Sequence, residues 1–163
     1  MHREKRLQVW ASNFKECEEE LLLEVRGVEV TSGEQTWLHC QSVRLSKNQS
    51  TDLLDVLLLE PAEKVIFVAR LLKDDHVVAR YFDWPQPLKY LDLPKPDIAM
   101  RIEGEMIHLS AALPVKGLVL DADDDDVDFD DNCFDLVPGD AQVVQAKGLK
   151  GQRVTFEHLA SAV

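Results

Sequence analysis

The chain has 163 residues, and 45% of them are hydrophobic, which supplies enough apolar material for a core and excludes a globally disordered protein. Eighteen basic residues against thirty acidic ones give a formal net charge of −12 at pH 7. Such a surface repels the phosphates of nucleic acids and the headgroups of anionic membranes, so neither is expected as a partner.

The first part of the chain does not suggest a signal peptide or a membrane anchor. Residues 2–6 are charged, and the apolar positions of 7–14 are interrupted by polar residues, so the start does not resemble a signal peptide. No run of about 18 apolar residues occurs, so no membrane span is expected. Three cysteines, with no Cys-x-x-Cys spacing, do not form a disulfide framework and favour an intracellular location.

Short apolar runs then recur along the first half, at 7–10, 21–25, 28–30, 36–45, 53–59, 65–69 and 77–82. Residues 16–23 alone could form two helical turns, but Gly27 and the surrounding β-branched residues favour a strand. Many short strands separated by polar turns predict an all-β sandwich or barrel. Within the run 36–45, Cys40 is expected to be a small buried hydrophobe, facing away from His39. The glycosylation sequon at Asn48 is interpreted as a polar turn.

A proline-rich stretch follows. Two prolines flank Gln86, so the backbone there must be extended, and residues 92–96 add a stiff linker. We therefore expect a first domain over residues 1–93, a linker at about 94–96 and a second domain over 97–163. Trp84 and Tyr90 either pack at the junction or form an aromatic platform for a sugar; the first interpretation is preferred.

Beyond the linker, apolar residues alternate cleanly with polar ones. Ile98, Met100 and Ile102 share one face of a strand, Gly104 marks a hairpin, and a second strand returns through residues 107–111. Residues 115–120 form the next strand, and 154–156 close the sheet. The second half is therefore also predicted to be a β-sandwich.

The run 130–140 contains the clearest local signal in the chain. Phe134 and Leu136 alternate with Asp135, which predicts a half-buried strand with both apolar side chains in the core. Pro138 and Gly139 then predict a type II turn with Gly139 at positive φ. A further strand is expected to start at about Ala141.

The acidic run 121–131 is the strongest candidate for a metal site. Asp124, Asp126, Asp128 and Asp130 alternate as calcium-loop ligands do. An EF-hand loop needs glycine at its sixth position and glutamate at its twelfth, and no register of this run supplies both. A solvated loop is therefore preferred to a weak calcium site, and no metal or cofactor is assigned.

Three motifs together resemble the C-terminal end of β-mannosidases, which are family 2 glycoside hydrolases. They are WPQPLKYL at 84–91, VKGL at 115–118 and DNCFDLVPG at 131–139, in the same order and spacing. The resemblance implies two immunoglobulin-like β-sandwich domains in tandem. It also implies that a catalytic TIM barrel, with two glutamates in a retaining mechanism, lies upstream of this chain.

A retaining glycosidase needs two carboxyl groups held about 5–5.5 Å apart across a sugar cleft. None of the family's catalytic glutamates corresponds to a position here, so no catalytic, cofactor-binding or metal-binding residue is assigned. The expected function is a non-catalytic accessory part of a β-mannosidase that braces the upstream barrel and contacts mannose-containing oligosaccharide. The alternatives are a free-standing carbohydrate-binding or adhesion module and a plain protein-interaction domain.

Overall fold

The computed structural model describes residues 5–58, 64–85, 87–123 and 126–162. Strands dominate these residues, and the only helical segments among them are two short 3-10 turns at Leu88–Tyr90 and Leu159–Ala162. The predicted all-β class is therefore confirmed. No helix in the described part of the chain is long and apolar enough to cross a membrane.

Residue contacts divide the chain into two compact units. The first contains residues 1–29 and 35–91, and the second contains residues 30–34 and 92–163. Thus the short segment 30–34, which follows the second strand, groups with the second unit rather than the first. The predicted linker at about 94–96 stays a prediction.

Unit 1 consists of two sheets. Strands β1 (Lys5–Asn13) and β4 (Gln49–Leu58) form an antiparallel pair. The larger sheet has the order β3-β2-β5-β6 and is antiparallel throughout. Its strands are β2 (Glu19–Glu29), β3 (Gln35–Leu45), β5 (Val65–Lys73) and β6 (His76–Asp83).

Alternation along β2 explains how the two sheets of unit 1 pack. Leu21, Leu23 and Val25 are buried while Leu22 between them is exposed, as a half-buried strand requires. They share a core with Leu7 of β1 and with Phe67 and Leu71 of β5. The helical alternative for residues 16–23 is excluded, because Glu19–Glu29 is a strand.

Unit 2 is a second sandwich. One sheet has the order β10-β12-β8-β7 and the other has the order β11-β9-β13. Their strands are β7 (Ile98–Glu103), β8 (Met106–Ala111), β9 (Val115–Ala122), β10 (Asp128–Phe129), β11 (Phe134–Leu136), β12 (Gln142–Lys147) and β13 (Val154–Glu157). Both sheets contribute to one core.

The predictions for the core residues, the turn and the following strand in the run 130–140 are confirmed, whereas the prediction of a half-buried strand is wrong, because Asp135 is buried as well. Phe134 and Leu136 are buried in the core of unit 2. The backbone N–H of Asp140 donates to the carbonyl of Val137 at 3.2 Å, which closes a four-residue turn with proline and glycine at its centre. Gly139 has φ +73°. The following strand, β12, begins at Gln142.

Asn132 joins this run to strand β9 through its side chain. Its carboxamide oxygen accepts from the N–H of Leu120 at 2.8 Å, and its amide nitrogen donates to the carbonyl of Leu120 at 3.0 Å. The same oxygen accepts from the N–H of Cys133, whose φ is +61°. The side chain therefore supplies the two backbone bonds that a neighbouring strand would otherwise make.

The expectation for Cys40 was wrong. Burial alternates along β3, with His39 partly buried and Cys40 exposed, so the two side chains do lie on opposite faces. It is the face with His39 that turns inward, and the His39 ring stacks on Trp37 with centroids 5.9 Å apart. All three cysteines are exposed and free.

Candidate functional site

The aromatic platform proposed for a sugar at Trp84 and Tyr90 does not exist. Trp84 is only 3% exposed, so its ring faces cannot stack on a ligand. Tyr90 is 75% exposed, but the Nζ of Lys89 lies 4.8 Å from its ring centroid and occupies one face. The burial of Trp84 fits the preferred packing interpretation, whereas the exposure of Tyr90 does not, and packing at a domain junction stays a prediction. Gln86 lies outside the described residues.

In the acidic run 121–131, two of the described carboxylates accept hydrogen bonds from the backbone. Asp130 accepts from the backbone N–H of Gln145 at 2.8 Å, and Asp121 accepts from the N–H of Ala122 at 3.0 Å. Asp124 and Asp125 lie outside the described residues. Across residues 5–58, 64–85, 87–123 and 126–162, no group of three or more His, Cys, Asp or Glu side chains could hold a metal ion.

Calcium at millimolar concentration should therefore leave the melting temperature nearly unchanged, because two of these aspartates already serve backbone donors and the loop lacks EF-hand spacing. The measurement is thermal unfolding with calcium, with magnesium at equal ionic strength as the control. A rise of several degrees with calcium alone would show a specific site.

Several charged side chains of unit 1 form ion pairs. Glu19 accepts from Lys15 at 2.8 Å and from Lys73 at 2.6 Å, and these two hydrogen bonds lower the pKa of Glu19 to about 2. Arg6 donates to both carboxylate oxygens of Asp55, which lowers the pKa of Asp55. A glycosidase acid needs a raised pKa, so neither carboxyl has the electrostatics of that role.

Glu19 makes stability depend on pH in a defined window. Because its folded pKa lies below its ordinary value of 4.5, its stabilisation is complete above pH 4.5 and disappears as the pH falls toward about 2. Glu19→Gln should therefore lower the melting temperature at pH 7, and the difference from wild type should shrink below pH 4.5. Glu16→Gln, at an exposed site in the loop that precedes β2, is the control and should leave the melting temperature nearly unchanged. A wild-type-minus-variant difference that stays constant from pH 7 to pH 2.5 would disprove this role of Glu19.

A groove in unit 1 arises because its two sheets differ in width. A hydrogen bond from the Gln41 side chain to the carbonyl of Leu53 joins β3 to β4, which places β4 over the β3 side of the larger sheet. Strand β1 is the neighbour of β4 in the small sheet, so it lies on the side of β5 and β6. Beyond β1 there is a groove of about 610 Å³.

The floor of this groove, which we call the β1 groove, is the inner face of the larger sheet. Tyr81 of β6 lies directly opposite Ala69 of β5, and Ala79 lies opposite Leu71, so all four share the face that forms the core. Tyr81 is nevertheless 69% exposed, because the small sheet stops short of it. Trp10 of β1, which is 66% exposed, borders the other side.

The sequence had singled out neither Trp10 nor Tyr81. Each lies in an alternating strand pattern, so the face of the sheet on which it lies can be read from its apolar neighbours. The number of strands in the opposite sheet cannot be read in that way. The exposure of these two rings depends on that number, and no local signal indicated it.

Comparison with known proteins accounts for nearly the whole chain. Residues 5–90 match the family model of the mannosidase Ig/CBM-like domain, and residues 93–163 match that of an Ig-fold domain. β-Mannosidase B of Thermothelomyces thermophilus is 36% identical over 156 residues, which cover 87% of this chain and 18% of that protein. β-Mannosidase B of Emericella nidulans is 40% identical over 116 residues, which cover 68% of this chain and 14% of that protein.

The fold agrees with this assignment. The crystal structure of β-D-mannosidase from Dictyoglomus thermophilum superposes with a TM-score of 0.80 over 96% of this chain and 21% of that one, at 14% sequence identity. The expected pair of tandem immunoglobulin-like sandwiches is thereby confirmed, as is the resemblance to family 2 β-mannosidases. The chain spans about a fifth of the length of the relatives it matches. It therefore belongs to the family of mannosidase Ig/CBM-like domains and forms a small, C-terminal, immunoglobulin-like part of a β-mannosidase-like protein.

Proposed function

We propose that this chain is the non-catalytic accessory part of a β-mannosidase, an enzyme that releases terminal β-mannose residues from oligosaccharides. The observation that supports this most strongly is the coverage: the chain aligns with 18% of a β-mannosidase B and itself consists of two tandem sandwiches. The family resemblance implies an upstream barrel that carries two catalytic glutamates. The role of this chain is then to brace that barrel.

The surface of unit 1 supports a bracing role. Its large exposed side chains include Phe14 at 87%, Leu57 at 57% and Leu38 at 53%, in addition to the two rings beside the β1 groove. Scattered exposed apolar residues are ordinary on any protein, so the support comes from the apolar floor of the β1 groove, which another part of a larger protein could cover. Several charged side chains, by contrast, are paired with one another within the unit.

The isolated chain should show no hydrolysis of an aryl β-mannoside. A retaining mechanism needs an acid with a raised pKa and a second carboxylate across a cleft, and Glu19 and Asp55 have lowered pKa values instead. The measurement is release of the chromophore by purified chain at high protein concentration. Turnover that follows the protein peak through two different columns would disprove this prediction.

Bracing can be tested with the β-mannosidase B of Thermothelomyces thermophilus, from which the matched region of 156 residues is deleted. This truncated enzyme is expected to be less stable and less active than the intact one. Adding this chain in trans should raise its melting temperature, and adding the relative's own deleted segment is the positive control. If the truncated enzyme keeps full stability and activity, or if its own segment rescues it while this chain does not bind, the bracing role is wrong.

The alternative function, a carbohydrate-binding or adhesion module, predicts a different result. In that case mannobiose at millimolar concentration should raise the melting temperature of the isolated chain. The truncated relative should then be as stable and as active as the intact enzyme. We also propose that this chain contacts mannose-containing oligosaccharide within the intact enzyme. This contact predicts a raised KM, without loss of melting temperature, when exposed residues of this chain are exchanged in the assembled enzyme.

A further inference from the structure

The geometry points to the β1 groove as the binding site of an additional β-strand, which is supplied by the polypeptide that directly precedes β1 in the full-length enzyme. This inference rests on the proposed function, because it takes the chain to be one part of a longer β-mannosidase. The strand pairs antiparallel with β1 and extends the small sheet of unit 1 from two strands to three.

The spacing of β-structure places the added strand in the groove. Neighbouring strands lie about 4.8 Å apart and facing sheets about 10 Å apart. Since β4 lies over the β3 side and β1 lies next to it, the third position of the small sheet lies over β5 and β6. The groove occupies that position, and β1 is nine residues long, so it offers an edge of about 30 Å.

Strand β1 has an edge to which a further strand can bind. Among the described residues, β1 pairs only with β4, so the N–H and C=O groups along its other edge have no strand partner there. An open strand edge beside an apolar surface can pair with another strand. Inward side chains of an added strand would cover Ala79 and Tyr81, which lie on the core face but are exposed.

The groove is less suited to a sugar than to a strand. Sugar hydroxyls need polar side chains that are free to bond. Here Arg6 and Gln8 both donate to Asp55, Arg6 at 2.5 Å and Gln8 at 3.2 Å, and Arg70 donates to Glu24 at 3.0 Å. What the groove offers is apolar side chains and the main-chain edge of β1, which are the groups that strand addition uses.

Chain topology identifies the occupant. In a protein of which this chain is the C-terminal part, the larger share of the polypeptide precedes β1. Consecutive strands usually pair, and a tight hairpin is enough to join two antiparallel neighbours. The segment directly before β1 therefore reaches the groove by the shortest connection. We expect it to alternate apolar and polar side chains, with the apolar ones toward Tyr81.

The test uses a synthetic peptide of the roughly 20 residues that directly precede the matched region in β-mannosidase B of Thermothelomyces thermophilus, a length that allows one strand and a turn. Bound to this chain, it should slow hydrogen exchange of β1 amides by about tenfold or more. Tyr81→Asp should weaken the peptide Kd by about tenfold or more. Leu38→Asp, at a 53% exposed site on the outer face of β3, should leave the Kd roughly unchanged.

Several outcomes would overturn the inference. One is no protection of β1 at saturating peptide, and another is equal weakening by both variants. Protection of β1 by mannobiose instead of peptide would make the groove a sugar site. Protection that rises with protein concentration alone, together with a dimer in sedimentation, would make the occupant a second copy. If the truncated relative is rescued in trans but the peptide does not bind, only this inference fails; if the peptide binds without rescue, the bracing role fails.

Discussion

Phe134→Ala should cost unit 2 about 3–5 kcal/mol of its free energy of unfolding. Phe134 is 9% exposed, lies in the core of unit 2 and pairs directly with Leu118, which is fully buried. The loss combines the transfer energy of the ring with the energy of the cavity it leaves. A domain of this size has little stability to spare, so the variant should unfold in unit 2 while unit 1 stays folded.

The measurement must separate the two units. All three tryptophans, Trp10, Trp37 and Trp84, belong to unit 1, so their fluorescence reports that unit. Hydrogen exchange of β8 and β12 amides reports unit 2. Val143→Ala, at a 49% exposed site on β12, is the matched control and should change stability by no more than about 0.5 kcal/mol. If Val143→Ala proved more damaging than Phe134→Ala, the packing proposed for this core would be wrong.

Local patterns of the sequence predicted much of the fold, because the features concerned depend on near neighbours. The alternation around Phe134 and Leu136 fixes which side chains enter the core, and the Pro138–Gly139 pair fixes the turn, whose Gly139 has φ +73°. The two-domain all-β organisation also follows from local signals, since strand periods and a proline-rich segment are both short-range features.

Features that depend on distant neighbours were missed. Cys40 lies in an apolar run, yet the core takes the opposite face of β3, and only the register with β2 determines that. The burial of Trp84 and the exposure of Tyr81 similarly depend on what lies across from them. The β1 groove exists because, among the described residues, one sheet of unit 1 has four strands and the other has two, which is a property of topology and not of any single segment.

Asp135 is a further example, because the alternation with Phe134 and Leu136 placed it on the solvent side of a half-buried strand. In the structure it is only 7% exposed. Its Oδ2 accepts from the Nζ of Lys116 at 2.9 Å, and its Oδ1 accepts from the backbone N–H of Gly117 at 2.7 Å. The carboxylate can therefore be buried because both of its oxygens have donors on strand β9.

Asp135→Ala should consequently destabilise unit 2 by about 3 kcal/mol, the lower end of the range for removing one partner of a buried ion pair. The lower end applies because the Lys116 side chain is 30% exposed and can turn to water, whereas the N–H of Gly117 loses its acceptor. Asp135→Asn keeps an oxygen for Gly117 but loses the charge, so it should fall between the wild type and the alanine variant.

The control for Asp135→Ala is Asp130→Ala, which also removes a carboxylate that accepts from a backbone N–H, but at an exposed position. Asp130→Ala should cost about 1 kcal/mol or less, because water can replace the lost bond. The free energy of unfolding of all three variants is measured by urea unfolding, with hydrogen exchange of β9 amides as the probe of unit 2. If Asp135→Ala cost no more than Asp130→Ala, the pair with Lys116 would not stabilise the buried carboxylate, and the motif at 131–139 would owe its form to the apolar residues and the turn alone.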